Sequence, residues 1–321
     1  MFFEGSEKKL EVVVNWSQEE GLSLRQLGDS YWARMVEACQ AKILSKMSSP
    51  SCDAYLLSES SLFVWDDHFT MITCGQTTLV NAVRILFEKF SLEQIDSLIF
   101  ERKNEYFPHR QTTDFYEDIG HLKKLMPGRA FRFGRAEDHH LFLFHLDKPF
   151  VPPPDDVTLE ILMYDLQGES AAIFGSGQYD SKKICQLTGV DQIFAGFQID
   201  DHVFEPCGYS LNALNQEKYY TIHVTPQEGS SYVSFETNFD VCQELPQTIG
   251  RVIEVFKPGS FDVVLFHPQR PLPFEVPGFE LRSQSLQDLT CGYGVTFSHY
   301  ESRRRVAEAA YEIKEWTSVR P

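Results

Sequence analysis

Two hairpin patterns, one in each half of the chain, most constrain its fold. In the first, Ser60 opens an apolar run, Asp66-Asp67-His68 turns it, and the return run ends at Cys74. In the second, Ser210 opens the run, Asn215-Gln216-Glu217-Lys218 turns it, and the return run reaches His223. A hairpin pairs residues equidistant from its turn, so Ser60 is expected opposite Cys74 and Ser210 opposite His223. Sheets packed face to face would bring all four side chains together; unrelated hairpins would leave them in solvent. Helical spacing marks Trp32 to Ile43, Leu79 to Phe90, Phe115 to Leu122 and Ile249 to Phe256, the last stopped by Lys257-Pro258-Gly259. Strand-like runs cover Leu10–Trp16, Ala54–Val64, Phe69–Cys74, Leu141–Leu146, Leu159–Tyr164, Tyr219–Val224, Tyr232–Thr237 and Phe261–Phe266. Many strands with fewer helices predict an α/β sandwich of mostly antiparallel sheets. The proline-rich run Pro149–Asp156 is the expected connection between similar halves, about 1–150 and 156–300.

Charge and cysteine usage narrow the function. A net charge of -17 makes nucleic acid a poor partner and favours cationic small molecules, although solubility alone explains such a balance. The seven cysteines form no CxxC pair and read as reduced thiols of a cytoplasmic protein. No apolar run approaches the ~20 residues of a membrane span, and Met1-Phe2-Phe3-Glu4-Gly5 has no secretory pattern. His139-His140 lacks a third metal ligand, so no metal is expected, and Arg303-Arg304-Arg305 reads as a solvated helical face.

Within Tyr55–Phe63, the consecutive polar residues Ser58, Glu59, Ser60 and Ser61 break the strand pattern, marking a bulged edge or a site. Leu57-Ser58-Glu59-Ser60-Ser61 followed by Thr73-Cys74-Gly75 resembles the self-processing segment of eukaryotic S-adenosylmethionine decarboxylases. So do Phe3-Glu4-Gly5-Ser6-Glu7-Lys8, Phe107-Pro108-His109-Arg110, Pro206-Cys207-Gly208-Tyr209-Ser210, Thr221-Ile222-His223-Val224-Thr225-Pro226 and Tyr232–Thr237, in family order.

The resemblance implies a four-layer αββα sandwich forming a single domain over 1–321. It implies self-cleavage at Glu59-Ser60 into 1–59 and 60–321, leaving a pyruvoyl group made from Ser60 in place of pyridoxal phosphate or a metal. That group would form a Schiff base with S-adenosylmethionine and release carbon dioxide, supplying spermidine and spermine synthesis. By the same resemblance His223 is the processing base and Ser210 its partner. Cys74 reprotonates the product and Glu7 acts near the reacting centre. Phe3 and Phe204 flank the adenine, and Glu59 lies in the substrate site. Cys207, by contrast, reads from the sequence as a structural thiol, the usual fate of a lone cysteine. Relatives occur as dimers and as single units, so a homodimer is compatible.

Two departures stand out. Relatives carry glutamate for the ribose hydroxyls where this chain has Gln227, so weaker substrate binding, tightened by Gln227→Glu, is expected. Ile72 stands where many relatives have a lysine of a buried network serving a diamine site. Glu11, Arg102, Asp156, Thr158, Glu160 and Glu236 match the rest of that network, making putrescine an expected ligand and a candidate activator. The competing readings are a non-catalytic partner that activates another decarboxylase, and a decarboxylase of another amino acid. Intact Glu59, Ser60, Cys74, Ser210 and His223 argue against the former.

Overall fold

The computed structural model describes residues 3–15, 22–227, 229–239, 244–268 and 274–303. Trp16 and the stretch from Arg304 onward lie outside these. The first sheet contains β1 (Lys8–Val14), β2 (Ile43–Ser48), β3 (Asp53–Leu57), β4 (Ser60–Val64), β5 (His68–Thr73), β6 (Ile95–Lys103), β7 (Gly128–Gly134) and β8 (His140–Leu146). The second contains β9 (Thr158–Leu166), β10 (Gln198–Val203), β11 (Tyr209–Asn215), β12 (Lys218–Thr225), β13 (Tyr232–Thr237), β14 (Pro258–His267), β15 (Phe279–Asp288) and β16 (Gly294–Ser302). Their orders, β2-β3-β4-β5-β1-β6-β8-β7 and β10-β11-β12-β13-β9-β14-β16-β15, are one topology repeated, and every described pairing is antiparallel.

Helices cover the outer faces. On the first sheet lie α1 (Asp29–Ala38), α2 (Val80–Lys89) and α3 (Phe115–Leu125). Trp32, Met35 and Val36 of α1 recur at helical spacing and are buried, Trp32 edge-on to Phe69. The helical pattern does not reach Ile43, which begins β2 after a break at Gln40 in left-handed conformation. The second sheet carries α4 (Gly168–Gly175), α5 (Ser181–Thr188) and α6 (Leu245–Phe256). α6 buries Leu245, Ile249, Val252 and Phe256 and ends where Lys257 turns left-handed. Each such fully buried apolar side chain contributes roughly 1.5–3 kcal/mol.

The inner faces meet through an apolar patch that includes Leu143, Leu162, Val264 and Phe297, and a second around Phe63 and Tyr219, whose rings lie 4.2 Å apart. Between the patches runs a seam of polar side chains that neither helical layer covers. The layers are therefore helix, sheet, sheet, helix, and the seam is where chemistry can be buried. No helix among the described residues is long and apolar enough to cross a membrane.

Candidate active site

The predicted strand Ala54–Val64 is two strands. Ser58 and Glu59 form a tight turn between β3 and β4, with Leu57 paired to Ser60. The Ser58 N–H donates to the Lys42 carbonyl at 2.8 Å, and the Ser58 hydroxyl accepts from the Lys42 N–H at 3.0 Å. The geometry forces Ser60 to φ 133°, a region costing a residue with a Cβ about 1–3 kcal/mol. Gly75 adjoins the turn at φ +65°, and a Cβ there would lie 2.6 Å from Glu59 Oε2. The polar interruption in the sequence is thus a strained turn.

Register differs by one residue from the expected hairpin. Asp66 and Asp67 make a two-residue turn, closed by the Trp65 N–H donating to the His68 carbonyl, so Ser60 pairs with Thr73. Cys74 consequently falls beside Glu59. Its N–H donates to the Glu59 carbonyl at 2.9 Å, and its thiol lies within donating distance at 3.4 Å. Burial, with Glu59 and Glu7 nearby, pushes the Cys74 thiol well up, keeping it protonated. The carbonyl preceding Ser60 is thereby polarised by two donors.

In the second sheet Ser210 pairs with His223 as expected, and Ser210 Oγ lies 2.9 Å from His223 Nδ1. His223 Nε2 lies 2.9 Å from Thr221 Oγ1 and 3.3 Å from Ser61 Oγ, and both hydroxyls also reach Asn212 Oδ1. Burial lowers the His223 pKa to about 3, so its imidazole is neutral at physiological pH. Glu7, just before β1, accepts from Ser234 at 2.6 Å and lies 3.5 Å from Ser60 Oγ. Burial raises its pKa to about 8 against the opposing Ser234 hydrogen bond, with Glu236 and Glu160 adding to the rise. Glu59 is raised to about 7 by burial, with Lys8 opposing. A cavity of about 300 Å³ is lined by Phe3, Glu59, Ser60, Cys74, Phe204, Ser210 and His223. Gln227 and Cys207, the latter expected to be structural, also line it.

A sequence profile of the adenosylmethionine decarboxylase family matches residues 1–302. The chain belongs to the adenosylmethionine decarboxylase family. It is therefore a carboxy-lyase by membership. The S-adenosylmethionine decarboxylase proenzyme of Leishmania infantum is 35% identical over 340 residues, covering 97% of this chain and 86% of that protein. The proenzyme of Drosophila melanogaster is 34% identical over 296 residues, covering 85% of each. A crystal structure of a Trypanosoma brucei AdoMetDC-delta26 monomer is similar at TM-score 0.59 and 28% identity, covering 76% of this chain and 99% of that one.

The acids expected to hold a diamine in this decarboxylase family member are only partly together. Glu11, Glu160 and Glu236 surround an ammonium that the sequence reading overlooked, that of Lys9. Its Nζ lies 2.8 Å from Glu160, 3.1 Å from Glu236, 3.8 Å from Glu11 and 3.9 Å from Glu101. Burial opposes the charge, but the combined pull of these carboxylates holds the Lys9 pKa well above its ordinary value. Burial pushes Glu101 well up, and neither of its oxygens has a hydrogen-bond partner. Lys9 is the direct cross-strand partner of Ile72, so positive charge enters from β1 instead of β5. The void beside Lys9, Glu101, Glu160 and Glu236 is about 20 Å³, room for a water and not for a four-carbon diamine.

Arg102 does not join them. Side chains alternate along β6, so Glu101 faces the seam while Arg102 faces α3, pairing with Asp118 at 2.5 Å and with Glu105. Asp156 accepts from Tyr293 at 2.5 Å and, with Glu11, Asp67, Asp155 and Glu217, lines a separate acidic cavity of about 550 Å³. Thr158 is buried at the start of β9, on the strand that carries Glu160.

His139 does acquire partners through the fold: its donor atom lies within 4.8 Å of those of Asp138 and His299. Its ring, however, stacks on that of His299 at 4.2 Å and 12°, so the in-plane lone pairs run side by side. Asp262 already accepts from His299 at 2.7 Å and is paired with Lys103 at 3.2 Å, a cation that disfavours a metal ion.

The raised Glu7 pKa gives a testable sign. Its folded-state value exceeds the unfolded one, so the ionised form costs stability that grows as pH rises from about 4.5 to about 8. In a Ser60→Ala background, Glu7→Gln is expected to raise the melting temperature relative to Glu7, increasingly so from pH 5 to 8. A pH-independent difference would contradict it.

Proposed function

We propose that the chain cleaves itself between Glu59 and Ser60 and then decarboxylates S-adenosylmethionine, providing aminopropyl donor for spermidine and spermine. The supporting observation is the strained Ser60 beside a Glu59 carbonyl that accepts from the Cys74 N–H and thiol. Attack of Ser60 Oγ on that carbonyl relieves the strain, and the Cys74 donors stabilise the developing oxyanion. The C–N bond breaks, an ester links Glu59 to Ser60 Oγ, and the hydroxyl proton ends on the released nitrogen. His223, neutral and steadied by Ser210, takes the Ser60 α-proton, and the ester carboxylate leaves as the new end of 1–59. Tautomerisation, water addition and loss of ammonia leave a pyruvoyl cap on 60–321.

The cavity fits such a group, because Ser60 opens into it beside the Cys74 thiol donor, with the raised carboxyl of Glu7 3.5 Å from Ser60 Oγ behind it. When present, the pyruvoyl supplies an electron-withdrawing carbonyl that accepts the pair released with carbon dioxide. Around it the chain's own residues orient and transfer protons. Phe3 and Phe204 offer aromatic faces to the adenine and the sulfonium. Glu7 holds a proton near the reacting nitrogen, and Cys74, too weak an acid to ionise at neutral pH, returns one to the α-carbon.

We further propose that the Lys9 ammonium supplies the charge expected from putrescine, so that neither processing nor turnover needs added diamine. Four carboxylates already surround that ammonium. Release of labelled carbon dioxide from carboxyl-labelled S-adenosylmethionine, compared with ornithine and arginine, tests the activity. Turnover of S-adenosylmethionine alone is expected. No release from it, or preference for either other amino acid, would overturn the reading.

A further inference from the structure

The rim of the catalytic cavity contains a pairing that the chemistry above does not use. Phe3 lies at the mouth, 38% exposed, with its ring 3.0 Å from where a Cβ on Gly75 would sit. No strand pairing secures Phe3, since β1 begins only at Lys8. Its backbone is held by one side chain: the Phe3 N–H donates to Gln227 Oε1 at 3.1 Å, and Gln227 Nε2 donates to the Phe3 carbonyl at 2.6 Å. A residue's N–H and C=O present one donor and one acceptor, and a carboxamide returns one of each. The orientation is fixed, because a flipped amide would set N–H against N–H and oxygen against oxygen. An ionised glutamate has acceptors only, so it would keep the first bond and face the Phe3 carbonyl with negative charge.

We propose that Gln227 is a positioning residue that clamps the Phe3 segment over the cavity and sets substrate affinity through the Phe3 ring. This rests on the S-adenosylmethionine reading, and it reverses the expectation that glutamate at 227 would tighten binding through the ribose. With both ends of its amide engaged by backbone, Gln227 has no donor hydrogen aimed away from Phe3 except the second one on Nε2. The side chain acts on substrate by fixing where an aromatic face stands.

The test compares wild type, Gln227→Glu, Gln227→Met, Phe3→Ala and the Phe3→Ala/Gln227→Glu double variant. Gln227→Glu is expected to raise KM roughly tenfold, the scale of one lost hydrogen bond plus repulsion, with kcat within about twofold and cleavage unchanged. Gln227→Met should raise KM less, because it removes the bonds without adding charge. The Gln227→Glu defect should shrink as pH falls towards 5, where a protonated carboxyl can again donate to the Phe3 carbonyl. The double variant should be no worse than Phe3→Ala. Amide hydrogen exchange over Phe3–Gly5, measured without substrate, should quicken in both Gln227 variants. A tighter or unchanged KM in Gln227→Glu, multiplying effects in the double variant, or unchanged exchange would each overturn the clamp. Failure of the underlying activity would show separately, as an uncleaved or inactive wild type whose exchange still responds to Gln227.

Discussion

Replacing Ser60 by alanine will leave the chain whole and without measurable turnover. Alanine has no hydroxyl to attack the Glu59 carbonyl, so neither the ester nor the reactive carbonyl can form. The fold should survive, because Ser60 Oγ makes only a 3.5 Å contact with Glu7 and the turn is anchored through Ser58. His223→Ala separates the steps: the acyl shift needs no α-proton removal, so this variant should accumulate an ester that hydroxylamine cleaves between Glu59 and Ser60. Gel electrophoresis under denaturing conditions reads both. Carbon dioxide release by Ser60→Ala would contradict the account, as would full processing of His223→Ala.

The second large effect concerns Lys9. Lys9→Met should cost about 3–5 kcal/mol, the penalty for removing one partner of a buried ion pair. It would leave Glu160, Glu236 and Glu101 without their cation around a void of about 20 Å³, with Glu11 close by. Glu236 and Glu160 also raise Glu7, so uncompensated charge there should further favour its protonated form and slow steps beside Ser60. Wild type should process and turn over at the same rate with and without putrescine. The variant should be slow and melt lower, with or without added diamine. Strong putrescine stimulation of wild type would show that Lys9 does not replace the dication. A variant indistinguishable from wild type would show that the cluster is not coupled to the site.

Much of the architecture was legible because alternation and helical spacing are local. The Ser210–His223 pairing followed from symmetry about its turn, and the end of α6 from Lys257-Pro258-Gly259. What failed was finer than one residue or longer than one strand. Counting His68 into the turn shifted Ser60 onto Cys74, whereas closure by Trp65 and His68 puts Cys74 against Glu59. The Ser58-Glu59 turn looked like strand because apolar runs flank it on both sides. Arg102 matches the acidic network by its place in the sequence alone; alternation along β6 turns it away from Glu101 and towards Asp118. Lys9 could have been found from Glu7, Lys9 and Glu11 alternating onto one face. Its encirclement by Glu160 and Glu236 could not, since that depends on how two sheets from distant halves of the chain are packed. The same holds for Gln227, whose partner is the backbone of Phe3.

Self-cleavage to a pyruvoyl group can be read by mass spectrometry of the purified wild-type protein under denaturing conditions, before and after borohydride. Two fragments are expected: residues 1–59 ending in free Glu59, and residues 60–321 lighter than a serine-terminated chain by one ammonia. Borohydride should add two hydrogens to the larger fragment alone. A single unbroken chain, or a larger fragment beginning with intact serine and inert to borohydride, would contradict it.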